Sequence, residues 1–147
     1  MELKFQVHGR IAKPVEEVFD AVYNPQKLSG YFTTGGASGP LDEGTTVTWD
    51  FADFPGRFPV VVRKVDPGRL IVFEWNAGAN DEVTEVRIEF EPLDAGSTMV
   101  RISEGTWPET QENLERSYGN CEGWMQMIAC MKVYLEHGFN LRVGFFK

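Results

Sequence analysis

The chain has 147 residues, of which 42% are hydrophobic and 13% aromatic, with four Trp and eleven Phe. This length fits one domain over residues 1–147, and this apolar content excludes a disordered chain. The net charge of −8 argues against nucleic acid, whose phosphates need clustered Lys and Arg, and against an anionic membrane surface. Solubility is its simplest purpose.

Leu3, Phe5 and Val7 alternate with Lys4, Gln6 and His8, and Ile11 keeps the phase, so the first element reads as a half-buried strand. Pro14 suits a first helical position. Val15, Val18, Phe19 and Val22 then make a short helical stripe that ends near Asn24-Pro25. A second short helix is predicted from Pro25 toward Phe32, with Leu28 and Phe32 inward. The stretch TTGGASGPLDEG, Thr33 to Gly44, is glycine-rich, but no strong strand precedes it and no Lys-Ser or Lys-Thr pair follows. It reads as a flexible polar loop and not as a phosphate loop.

Val47, Trp49 and Phe51 alternate with Thr48 and Asp50, a strand that Pro55-Gly56 would turn. Phe58 to Val65 is a β-branched run closed by the turn Asp66-Pro67-Gly68, and Ile71, Phe73 and Trp75 alternate after it. Asn76 to Asp81 is again turn-like. The clearest strand puts Thr84, Val86, Ile88 and Phe90 on one face and Glu85, Arg87, Glu89 and Glu91 on the other. Asp94-Ala95-Gly96 turns the chain into a last strand carrying Val100 and Ile102, with Thr98 and Glu104 in the same phase, before Trp107-Pro108.

From Asn113 to His137, apolar residues recur at steps of three and four: Leu114, Tyr118, Cys121, Trp124, Met125, Ile128, Met131 and Leu135. Gly138 stands where a left-handed helix cap wants glycine. Such a helix is about 35–40 Å long, enough to cross a small domain. Cys121 and Cys130 lie nine residues apart on opposite sides of it, which excludes a disulfide within the helix; they read as small buried hydrophobes. MELKFQVHGR does not read as a signal peptide, and no apolar run has the length of a membrane span. The expectation is a cytoplasmic protein with reduced thiols and no membrane insertion. Short turns require antiparallel neighbours, and a sheet with one polar face needs its other face covered. The expected fold class is therefore α+β: about six antiparallel strands covered by the long C-terminal helix, with two short helices after the first strand.

Five stretches together carry a resemblance. Pro14 to Phe19 (PVEEVF) with Asn24 to Leu28 (NPQKL) resembles the opening of the START-like superfamily, which includes birch-pollen allergen, polyketide cyclases and aromatases. Val65 to Trp75 (VDPGRLIVFEW) resembles its strand–turn–strand signature, and Gly96 to Ile102 (GSTMVRI) its penultimate strand. Gly123-Trp124 resembles the Gly-Trp of the branch named for the activator of heat-shock protein 90 ATPase. No single motif is specific; the succession is, and it covers nearly the whole chain. The resemblance implies a helix-grip domain, a curved sheet wrapped round the C-terminal helix with a cavity between them. Members bind lipids, sterols, polyketides and other apolar ligands, and some cyclise or hydrolyse them. One departure is that the branch often carries a histidine late in the last strand, where this chain has Glu104. A site built on that imidazole is not expected here.

The candidate ligand-binding walls are Trp49, Phe51, Phe73, Trp75, Ile88 and Phe90 from the strands, Trp107 after them, and Trp124, Met127, Ile128 and Met131 from the helix. The same residues would equally make a closed core. Glu104 has two placements: inward, where it would be a ligand anchor or general acid, or at the sheet rim facing water, which is slightly favoured. Tyr118 offers a hydroxyl to a ligand, although a packed ring with a wet tip is the simpler reading. His8 and His137 have no metal-ligand spacing, and no nucleophile elbow or Cys–His signature occurs, so no metal, cofactor or catalytic residue is assigned. Glu109, Glu112 and Glu115 read as a solvated first helical turn. The functional expectation is binding of a small apolar molecule between sheet and helix, by a monomer or homodimer. A chaperone-activator-like protein–protein module is the alternative, and a cyclase- or hydrolase-like enzyme the third reading, since Glu104 alone could serve as its acid–base group.

Overall fold

In the computed structural model, which describes residues 1–147 apart from the side chain of Pro55, the chain forms one seven-stranded antiparallel sheet and three α-helices. In order they are β1 (Leu3–Ile11), α1 (Val15–Tyr23), α2 (Pro25–Leu28), β2 (Gly36–Ala37), β3 (Thr46–Phe51), β4 (Phe54–Asp66), β5 (Leu70–Asn76), β6 (Val83–Asp94), β7 (Ser97–Trp107) and α3 (Gln111–His137). The sheet order is β1-β7-β6-β5-β4-β3-β2. β3 to β7 follow one another through short connections, whereas β1 pairs with β7, so α1 and α2 carry the chain from one sheet edge to the other. Register shifts between Leu3/Phe5, Asp50/Phe51, Val62/Lys64 and Pro92/Asp94 interrupt the ladders. Such irregularities bend strands, and here they accompany the curvature that wraps the sheet round α3.

Alternation places Val86, Ile88 and Phe90 of β6 and Val100 and Ile102 of β7 in the core, with Glu85, Arg87 and Arg101 on the outer face. α3 runs across this concave surface against β1 and β7. Gly9 allows the contact, because a Cβ there would stand 2.5 Å from Ile128 Cγ2. The helix begins two residues earlier than its apolar pattern predicts, since the Thr110 side chain accepts from Asn113 N at 3.1 Å and caps it. It ends as expected at Gly138, whose φ of 75° is left-handed.

The structure corrects several details of the sequence reading. The loop from Thr33 to Gly44 contains β2, which pairs with Trp49 and Asp50 on β3. Its two residues are too few to show an alternation. The β3–β4 reversal lies at Ala52-Asp53, because Phe51 pairs with Phe54, and Pro55-Gly56 sits within β4. Gly56 there has a φ of 129°, so its glycine serves a strand irregularity and not the turn. On α3, Tyr118 and Met125 are exposed, at 64% and 42%. The inward face of its first half is polar instead, with Asn113 and Ser117 buried. Cys130 is buried, as read, and Cys121 only half-buried; both are free thiols. Burial pushes the Cys130 thiol pKa up, partly offset by the nearby Arg142 charge. No helix is long and apolar enough to cross a membrane.

Candidate functional site

β7 does not end at Ile102. It continues to Trp107, with Glu104 paired to Val86 on one side and Phe5 on the other. Strand phase therefore turns Glu104 inward beside Val100 and Ile102, and it is 2% exposed. The rim placement is thus corrected. A buried carboxylate is costly unless hydrogen bonds replace its water, and here four side chains do so. Trp75 Nε1 (2.8 Å) and Thr84 Oγ1 (2.6 Å) donate to Oε2. Trp124 Nε1 donates to Oε1 at 2.8 Å, and Asn120 Nδ2 reaches both oxygens at 3.0 and 3.2 Å. Among the described residues no cation pairs with it. Hydrogen bonds to a charged acceptor are stronger than neutral ones, so Glu104 ties β5, β6 and α3 to β7 and fixes the planes of two indoles.

Those indoles border a cavity of about 360 Å³ at one end of the sheet–helix interface. Trp75 and Trp124 lie 5.5 Å apart with their planes inclined at 36°, and Phe32 lies 5.7 Å from Trp124. Phe51, Phe54 and Phe58 from the β3–β4 hairpin complete the aromatic wall, with Phe146 facing them. Asn120, Gln126 and Arg142 supply polar lining. Gly119 and Gly123 leave the α3 side open, since a Cβ at either meets no atom within 4 Å. This size falls in the ordinary range for small-molecule sites.

Residues 139–147 cross the cavity edge and are fastened by one ion pair. Arg142 Nη1 and Nη2 donate to Asp53 Oδ2 and Oδ1 at 2.7 and 2.8 Å. The guanidinium also lies 5.8 Å from the Phe51 ring centre and 5.2 Å from that of Phe146. The Arg142 hydrogen bonds hold the Asp53 carboxyl below its ordinary pKa, opposed by desolvation. A second, wider hollow beside α1 is bordered by charged groups such as Glu16, Asp20, Lys27 and Asp42, with few rings, and offers little to an apolar guest.

Of the residues singled out in the sequence, Phe51, Trp75 and Trp124 border the cavity. Trp49 and Phe73 stand in the core behind it, edge-on to each other at 5.2 Å and against Trp124. Ile88, Phe90, Met127, Ile128 and Met131 are core residues, and Phe90 packs on Phe19 of α1 at 5.3 Å. Trp107 is buried against Phe5, its Nε1 donating to Ala77 O at 3.3 Å. The Tyr118 ring is in solvent and not at the cavity. Sequence reasoning did not single out Phe54, Phe58, Asn120, Gln126, Arg142 or Phe146. The aromatic spacing in FADFPGRF and in GFNLRVGFF was the available signal. Among the described residues no three His, Cys, Asp or Glu side chains are grouped to hold a metal.

Comparison with solved structures returns the same fold. The chain is 28% identical to the Staphylococcus saprophyticus protein SSP2350, over 95% of this chain and 96% of that one, with a TM-score of 0.80. It is 22% identical to Aha1 from Colwellia psychrerythraea, solved in solution as a dimer, over 92% and 98% of the two chains, with a TM-score of 0.77. It is 18% identical to PFC0360w, an HSP90 activator from Plasmodium falciparum, over 91% and 96%, with a TM-score of 0.75. No curated protein matches the chain. Residues 12–136 match the family described as "Activator of Hsp90 ATPase homolog 1-like protein", and the chain belongs to that family.

Proposed function

We propose that this protein binds one small apolar molecule in the cavity between the β3–β5 side of the sheet and α3. The observation that carries the reading is the aromatic-walled space of about 360 Å³ whose Trp75 and Trp124 rings are held in place by the buried Glu104 carboxylate. Glu104 acts here as a positioning residue, because its oxygens are already taken by four neighbouring donors. Apolar transfer from water supplies the affinity, and the rings supply shape.

The test fills the space from its open side. Gly123→Phe adds a ring where a Cβ meets no atom within 4 Å, and removing a mid-helix glycine favours α3. Titration with naphthalene, read by tryptophan fluorescence, is expected to saturate in the wild type and to lose at least about tenfold in affinity in Gly123→Phe. Equal binding by the two proteins would place the ligand elsewhere and sink the reading.

A second reading, a protein–protein module, is favoured by exposed apolar groups on one segment: Phe139 at 68%, Val143 at 69% and Phe145 at 48%. An exposed apolar patch is a common mark of a partner surface, and the Plasmodium falciparum neighbour is an HSP90 activator. Capture of Hsp90 by the wild type, and its loss in the double variant Phe139→Ser with Val143→Ser, would support this reading. No capture would remove it.

A further inference from the structure

Residues 139–147 are held to the body by one buried side chain. Every residue of this segment is exposed except Arg142, which is 3% exposed. Among the described residues, the hydrogen bonds that leave the segment all run from the Arg142 guanidinium to Asp53, in the turn between β3 and β4. Its other hydrogen bonds are local. Arg142 N and Val143 N donate to Asn140 Oδ1 at 3.1 and 3.3 Å, and Phe145 N donates to Arg142 O at 3.1 Å. Gly138, with a φ of 75°, joins the segment to α3 and lets the chain change direction there without side-chain strain.

The same segment borders the cavity. Arg142 and Phe146 belong to the lining, and so do Phe51 and Phe54, the rings they rest on. Phe146 stands edge-on to Phe54 with ring centres 6.0 Å apart, and Lys147 Nζ lies 4.7 Å from the Phe54 ring centre. A segment with this little burial, and no backbone hydrogen bond to the body, opens at far lower cost than the whole fold. Opening takes Arg142 and Phe146 out of the wall. Trp75 and Trp124 stay, because Glu104 holds their indoles independently of the segment. A guest in contact with the whole lining therefore binds the shut form better than the open one.

We infer that residues 139–147 form a hinged wall of the cavity, pinned shut by Arg142 on Asp53, and that a bound guest and the shut wall stabilise each other. This role rests on the ligand-binding reading above and adds a moving part to it. Arg142 and Asp53 act as positioning residues: they engage each other and keep Phe146 beside Phe54 at the edge of the space. The dependence is reciprocal. The factor by which a guest suppresses opening is also the ratio of its affinities for the shut and open forms.

Trypsin reads the opening on the full chain. It cleaves after Arg142 only once that side chain has left Asp53, and cleavage of a segment that opens and shuts rapidly follows the population of the open form. Mass spectrometry follows release of residues 143–147 at neutral pH, without a guest, with naphthalene, and with the larger neutral probe N-phenyl-1-naphthylamine. A synthetic peptide of residues 138–147 controls for effects on trypsin itself. The expected result is cleavage after Arg142 ahead of every other site, slowed about fivefold or more by the larger probe at saturation. In Asp53→Asn, cleavage without a guest is at least about tenfold faster. Probe affinity in that variant falls by no more than the slowing factor measured in the wild type. Near-UV circular dichroism confirms that the variant is folded, and the wild-type comparison stands without it. Cleavage unchanged by every probe that binds overturns the hinged wall and leaves the cavity reading intact. Cleavage spread over the whole chain at once also overturns it, because the segment then does not open by itself. Slowing that persists in Gly123→Phe has its source outside the cavity and overturns it too. Binding of neither probe by the wild type overturns the ligand-binding reading and the hinged wall with it.

Discussion

The two halves of α3 are buried by different physics. In the second half Met127, Ile128, Cys130 and Met131 are at most 2% exposed and pack on the sheet, closest where Gly9 admits Ile128. In the first half the inward residues are Asn113 and Ser117, followed by Asn120 and Trp124, and hydrogen bonds replace apolar contact. Asn113 accepts from Ala79 N at 2.9 Å and donates to Glu82 Oε1 and Pro108 O, both at 3.0 Å. Apolar burial is non-directional and proportional to area, so it holds the rod in the sheet without fixing any one ring. Hydrogen bonds to a buried carboxylate are directional, so they fix Trp75 and Trp124 at the angle that leaves a cavity. One half of the helix is held by apolar area, and the other by hydrogen bonds that both stabilise the fold and shape the site.

This division can be broken from either side. The largest effect is expected from Glu104→Leu, which leaves two indole N–H groups, a hydroxyl and an amide without their acceptor. Urea denaturation should show a loss of about 3–5 kcal/mol, and probe binding should disappear with it. A loss below about 1 kcal/mol would mean that water replaces the carboxylate and that the polar half is not structural. Met131→Ala tests the apolar half. It should cost about 2–4 kcal/mol, yet folded protein should bind the cavity probe within about twofold of the wild type. A large change in affinity would show that the two halves are not separate.

The smallest effect concerns the fastening of residues 139–147. Arg142 keeps the Asp53 carboxyl below its ordinary value of 3.8 in the folded chain. A group with a depressed folded value contributes its stability in full above the unfolded value and loses it as pH falls through the folded one. The segment should therefore stay fastened at neutral pH and loosen only as the pH drops below 3.8. Hydrogen exchange or limited proteolysis after Arg142 at stepped pH would follow it, and Asp53→Asn should loosen the segment already at neutral pH.

Much of the frame was legible in the sequence because strand burial is periodic. Alternation located β1, β3, β5, β6 and β7, and the phase of Val100 and Ile102 carried over to Glu104. That phase left inward and rim placements open, because neither the length of β7 nor the donors around Glu104 can be read from one strand. Asn113 and Asn120 were missed for the converse reason. A helix face is recognised by its apolar residues, and a face buried through hydrogen bonds is silent in that pattern. Apolar periodicity instead selected Tyr118 and Met125, which are exposed. Arg142 escaped because residues 139–147 form no regular element, and its partner Asp53 lies 89 positions away. Pro55-Gly56 misplaced a turn that Ala52-Asp53 makes in fact.

Native mass spectrometry of freshly purified wild type beside Gly123→Phe addresses the central claim most directly. The expected result is a wild-type species that carries a non-covalent small molecule, or takes up added naphthalene in one-to-one ratio, beside a Gly123→Phe species that stays bare and folded. A wild type that remains bare at saturating naphthalene, or a variant that takes it up equally, would contradict the claim that the Glu104-held rings enclose a binding site.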